Sequence, residues 1–225
     1  VVCTAGGMNI FLSLLLALLA GCLAGLVTGI FHTKFGIPAI LAGILTQLAL
    51  YSVNLRVLGG KANQPLSVDK YNLLISLRNI NKSLIVLAIF IAVIILVRYW
   101  FFGTELGHSL RATGCNQAMA RANGINTSTN KIIGFVLSNG IVALSGGMLA
   151  QYQGFADVNM GRGAIVIGLA AIIIGEVAFG KLFKNFALRL LSVAFGSIIY
   201  YIVVQAVITM GLDANLLKLL SAAIV

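Results

Sequence analysis

The chain has 225 residues, 60% of them hydrophobic and 9% charged, whereas soluble domains carry about 25% charged residues. No soluble core of this size can hide so much apolar surface, which excludes a water-soluble globular fold. The net charge of +10 comes from 15 Lys and Arg scattered between apolar blocks. They form no basic stripe with interleaved aromatics, which argues against nucleic acid as a partner and for anchoring at a lipid bilayer.

A hydrocarbon core about 30 Å thick needs about 20 apolar residues at 1.5 Å each. By that ruler the candidate spans are Met8–Phe31, Ile37–Leu58, Ser83–Phe102, Ile132–Tyr152, Gly163–Phe179 and Ala187–Met210. The expected fold is all-α, a polytopic transmembrane helical bundle with about six spans, forming a single transmembrane domain over residues 1–225. The fifth span is the shortest and is compatible with a tilted, broken or re-entrant helix. The chain starts at Val1, and the apolar run Leu216–Val225 stops before it could cross a membrane, so both ends read as truncated. Cys3, Cys22 and Cys115 provide neither a disulfide framework nor a CxxC metal pattern.

In the first span, Gly21, Gly25 and Gly29 recur at steps of four, extended backwards by Ala17, which predicts a face for close helix packing. With 25 Gly in the chain, chance also produces such spacing. Two long interruptions, Gly59–Lys82 and Gly103–Lys131, fall on opposite sides if all six segments span. The Lys and Arg vote on orientation is nearly even. Judged on short loops, Lys181 and Lys184 in Gly180–Phe186 outweigh Arg162 against Asp157 in Gln153–Arg162, which places Gly103–Lys131 in the cytoplasm.

Catalysis at depth would need converging polar groups, and the sequence offers no Ser–His pair, paired carboxylates or HExxH helix. His32 and His108 stand apart from any second candidate ligand, so neither a metal nor another cofactor is expected. Of the acids Asp69, Glu105, Asp157, Glu176 and Asp213, only Glu176 falls within an apolar segment. It is a candidate ion or proton relay by default. Its place beside Gly180–Lys184 equally allows pairing with Lys181, or hydration. The P-loop lookalike Gly175–Leu182 has Leu182 where a hydroxyl would hold Mg²⁺ and no strand before it. The triplets at Asn81 and Asn126 match the glycosylation pattern only as chance would.

The segment 103–131 reads as folded. Thr104 can cap a short helix through Thr113, with Glu105 in its first turn and Gly114 ending it in a left-handed conformation. Asn116 can cap a second helix, Gln117–Asn123, terminated by Gly124. Ala118, Met119, Ala120 and Ala122 with Arg121 give that helix a small-residue surface suited to docking in a partner's groove. A helix lying on the headgroups is the other reading of the same composition.

Leu110–Asn116, followed by Ala120-Arg121 and Gly124-Ile125-Asn126, resembles the R-A-x-G-x-N…G-I-N signature of ABC importer permeases in the branched-chain amino acid and ribose permease superfamily. Gly25–Pro38 is similar to the family's early helix and turn, and Gly161–Gly180 to its Gly-rich helix ending in G-x-x-x-F-G. Gly175-Glu176 departs from it, standing where many relatives have a Gly pair. The resemblance implies a permease domain whose loop 103–131 holds a coupling helix seated on a separate cytoplasmic ATP-binding subunit. Arg111, Gly114, Asn116, Ala120, Arg121, Gly124, Ile125 and Asn126 would shape or contact that element. It further implies a second permease subunit in a homodimer, an extracellular or periplasmic substrate-binding protein, a bacterial plasma membrane location, and an amino acid as solute. On this reading the chain is no enzyme, since ATP is hydrolysed by its partner. The rival readings are an ion- or proton-coupled secondary transporter with Glu176 as coupling residue, and a non-transporting scaffold subunit.

Overall fold

The fold is that of a computed structural model, which describes residues 2–66, 73–76, 79–161, 164–180 and 185–210. Asp69, Arg162, Lys181, Leu182, Lys184, Asp213 and the run Leu216–Val225 lie outside the described residues, as do the expectations that rest on them. The helices are α1 (Val2–Ala5), α2 (Ile10–Thr33), α3 (Ala39–Val57), α4 (Ile80–Phe102), α5 (Glu105–Cys115), α6 (Gln117–Ala122), α7 (Thr127–Gln153), α8 (Ala164–Phe179) and α9 (Phe186–Thr209). Two short strands, β1 (Asn63–Pro65) and β2 (Phe155–Asp157), complete the described structure.

Among the described residues, five helices are long and apolar enough to cross a membrane: α2, α3, α4, α7 and α9. The sixth apolar segment is α8, whose 16 residues reach about 24 Å, short of a core about 30 Å thick. α7 begins at Thr127, five residues before the apolar stretch that the membrane ruler selects. The reason is local. Asn126 Oδ1 accepts from the Thr129 N–H at 3.2 Å, and this cap lets the polar residues up to Lys131 join the helix outside the hydrocarbon.

The chain divides into two compact units, residues 1–91 with 100–160, and residues 92–99 with 161–225. In the first, α2 runs antiparallel to α7 in close backbone contact. Gly21 faces Asn139 and Ala143, Gly25 faces Phe135 and Val136, and Gly29 faces Ile132. Gly140 and Gly147 of α7 answer with room for Cys22 and Leu14. Between like-apolar helices in lipid, such approach supplies the dispersion contacts that hold a pair together. α3 packs on α2 through a buried hydroxyl pair, Thr28 Oγ1 and Thr46 Oγ1 at 2.9 Å, with Thr46 donating to the Ala42 carbonyl at 2.9 Å.

The end of this unit beyond α3 and α7 is closed by the antiparallel pairing of β1 with β2, Gln64 opposite Ala156. Beneath it Leu14, Ile75 and Met148 form a small apolar core. Buried Gln151 accepts from the Leu74 N–H at 3.3 Å, and Ser83 donates to the Ser76 carbonyl at 2.7 Å. Residues 62–66, Leu74 and residues 154–158 therefore share one end of the unit. The opposite end carries the start of α7 and the end of α2, where the His32 ring stands edge-on to Phe135 at 5.7 Å. This is the alternation that membrane-crossing helices require.

In the second unit α8 and α9 meet at small residues. Gly175 lies against the Ser192 backbone, and Gly196 lies against Ala171 and Gly175. Glu176 pairs with Arg189, Nη2 to Oε1 3.8 Å, with both side chains about 60% exposed.

Candidate functional site

The segment between α4 and α7 is built from nested caps. α4 ends as the Gly103 and Thr104 amides return to Trp100 and Phe101. Thr104 Oγ1 accepts from the Gly107 N–H at 3.3 Å and opens α5. Gly107 sits so close to the Phe102 backbone that a Cβ there would lie 2.5 Å from the Phe102 Cα, which makes the α4–α5 corner tight.

α5 does not end at Gly114 in a left-handed turn, as the sequence reading expects. It continues to Cys115 and stops because Asn116 adopts an extended conformation, φ −151° and ψ 108°. That conformation is what brings the Asn116 side chain over α6, where its Oδ1 accepts from the Ala118 and Met119 amides at 3.0 and 3.1 Å. A single Asn thus closes one helix and opens the next. α6 closes in a Schellman motif: the Ile125 N–H reaches the Ala120 carbonyl at 3.0 Å and the Gly124 N–H reaches the Arg121 carbonyl at 2.9 Å. Gly124 carries the left-handed turn at φ +77°, a conformation costing about 1–2 kcal/mol for a residue with a Cβ.

Two polar contacts fasten this element to α7. Buried Asn130 donates through Nδ2 to Thr113 Oγ1 at 3.1 Å and to Ser109 Oγ at 3.2 Å. Arg121 Nε donates to Thr127 Oγ1 at 2.9 Å. Beside these lies a cavity of about 320 Å³, lined by His32, Leu110, Thr113, Gln117, Lys131 and Phe135 among others. His32 is oriented by its Nδ1–H, which donates to the Ile37 carbonyl at 2.8 Å. Charge here is one-sided, with Arg111, Arg121 and Lys131 against Glu105.

Arg111, Gly114, Asn116, Arg121, Gly124 and Asn126 are exposed, Ile125 is half-buried, and Ala120 is buried outright. Ala120 therefore supports α6 from beneath, while Ala118, Met119, Arg121 and Ala122 form its outward surface. Ser109, Thr113 and Asn130 escape sequence reasoning as a cluster. The only local signal is the i, i+4 spacing of Ser109 and Thr113, which puts two hydroxyls on one face of α5. Glu176 belongs to the second unit, exposed and beside a cation. Among the described residues no group of three or more His, Cys, Asp or Glu converges on one point.

A profile of the family described as branched-chain amino acid transport system, permease component, matches residues 1–225. The chain is 41% identical over 198 residues to a tyrosine transport system permease protein of Clostridioides difficile (strain R20291), covering 88% of this chain and 64% of that protein. It is 33% identical over 186 residues to an uncharacterised protein of Rickettsia prowazekii (strain Madrid E), covering 82% of this chain and 65% of that protein. The chain thus spans less than two thirds of the length of either relative. No solved structure matches it.

Proposed function

Because the chain belongs to the family of branched-chain amino acid transport permease components, we propose that it is the membrane-spanning subunit of an ATP-driven amino acid importer. It is a multi-pass protein of the bacterial plasma membrane, and the solute crosses between its helices. ATP is hydrolysed by a separate cytoplasmic subunit that seats α6, and a substrate-binding protein delivers the solute from outside. A second permease subunit completes the path. The observation that carries this reading is the capped α5–α6 element, which presents a cationic, small-residue surface and is fastened to α7 by Asn130 and Arg121.

In this scheme closure of the ATP-binding subunits displaces α6. The Asn130 and Arg121 contacts pass that displacement to α7, and the glycine seam passes it to α2. Rigid helices joined at close-packed seams move as bodies, the rocking that alternating access requires. The solute class follows the tyrosine-transporting relative, so L-tyrosine is the first solute to assay. The ion-driven alternative centred on Glu176 is less favoured, because that carboxylate is exposed and already faces Arg189.

The test is uptake of labelled L-tyrosine by proteoliposomes holding the whole permease with its ATP-binding subunit and binding protein. Uptake is expected to require internal ATP and to survive an uncoupler. Uptake that persists without ATP and collapses with the uncoupler would contradict the proposal.

A further inference from the structure

We infer that the face of α3 bearing Gln47 and Asn54 lines the path taken by the solute, and that Gln47 meets the solute's zwitterionic head near mid-membrane. The inference rests on the importer reading above. Gln47 stands near the middle of α3, and Asn54 is seven residues, about two turns, further along the same face. Both side chains are exposed. The buried side of α3 is carried by Ala42 and Thr46, which pack on α2, so the amide face looks elsewhere.

What marks Gln47 is that its side chain has no partner among the described residues, at a depth where lipid can supply none. Hydrocarbon offers no hydrogen bond, so polar groups at that depth bond within the protein or face a water-filled passage. In the middle of the described spans Thr46 bonds to Ala42, Ser138 and Asn139 bond to Phe135, and Ser197 bonds to Ala194. The side chains of Gln47 and Asn54 make no hydrogen bond among the described residues. One turn before Gln47, a Cβ added at Gly43 would meet nothing within 4 Å, so the face also has open space beside it. A helix suited to lipid looks different: α4 is uninterruptedly apolar from Leu84 to Val97.

A carboxamide donates to a carboxylate and accepts from an ammonium. It can therefore hold the head of an amino acid without a fixed charge, which at this depth would cost far more. Binding is weak enough to release the solute onward.

The test uses the whole permease with its ATP-binding subunit in proteoliposomes, with native Cys3, Cys22 and Cys115 replaced. Gln47→Cys is expected to react with a membrane-impermeant methanethiosulfonate about tenfold faster than Ile89→Cys on α4, and excess L-tyrosine should slow it. Gln47→Leu, which suits a membrane helix, is expected to raise the KM for L-tyrosine about fivefold, the effect of one lost neutral hydrogen bond, with Gln47→Asn partly restoring it. If the thiol of the Gln47→Cys variant is reached only by lipophilic maleimide, or joins a second copy or another helix as a disulfide, the assignment is overturned. Loss of ATP-dependent uptake in the unmodified complex would instead count against the importer reading, while the labelling pattern would still decide the role of α3.

Discussion

Gly25→Ala is expected to leave little stable protein. A Cβ at this position would lie 2.8 Å from the Phe135 carbonyl carbon and from the Val136 Cα, and closer still to the Phe135 oxygen. These are backbone atoms of α7 and cannot rotate away as a flexible side chain would. The α2–α7 seam must open, and overpacking of this kind costs about 1–3 kcal/mol or more, a large share of a net stability of about 5–15 kcal/mol. Loss of the seam also weakens the dispersion contacts at Gly21 and Gly29, so damage should spread along the whole interface. Gly146→Ala is the matched control, since a Cβ there meets nothing within 4 Å. Thermal unfolding in detergent, followed by size-exclusion recovery, should separate the two variants clearly. Equal melting temperatures would show that the seam is looser than described.

Arg121→Ala is expected to uncouple transport from ATP turnover. Arg121 is exposed on α6, and its Nε donates to Thr127 at 2.9 Å, which fixes the guanidinium on an otherwise exposed side chain. Truncating a charge that pairs across an interface costs about 2–5 kcal/mol, so L-tyrosine-stimulated ATP hydrolysis should fall by about tenfold or more. Basal hydrolysis by the separate subunit should remain. Thr127→Val separates the two roles: it removes the inner anchor but keeps the outward charge, and should be milder. Gly124→Ala should resemble Arg121→Ala, because an unfavourable turn of about 1–2 kcal/mol would unwind the end of α6. Unchanged substrate-stimulated turnover in Arg121→Ala and Gly124→Ala would remove α6 from the coupling role.

Local chemistry is legible in the sequence, and distant chemistry is not. Thr104, Asn116 and Gly124 are readable as helix punctuation because a cap depends on neighbours two or three residues away. The apolar runs are readable because a bilayer imposes one length on every span. The short α8 shows where that rule stops applying. Gly114 misleads because two helix breakers compete within three residues, and the extended Asn116, which caps α6 in the same stroke, ends α5 first. The extra turns of α7 escape hydropathy, which sees only what lies in lipid. The β1–β2 pairing joins segments about ninety positions apart through three-residue strands, too short to show alternation. Asn130 reaches Thr113 and Ser109 only after the chain turns twice, and the same holds for the residues that meet the α2 glycines on α7.

The central claim is that the α5–α6 element is seated on a cytoplasmic ATP-binding subunit. Native Cys115, exposed where α5 gives way to α6, provides the probe. With Cys3 and Cys22 replaced by Ala, a photoreactive group on Cys115 should form an adduct with the ATP-binding subunit in the assembled complex, and its yield should change when ATP is bound. An adduct confined to lipid or to the external binding protein, with none to the ATP-binding subunit, would contradict the account.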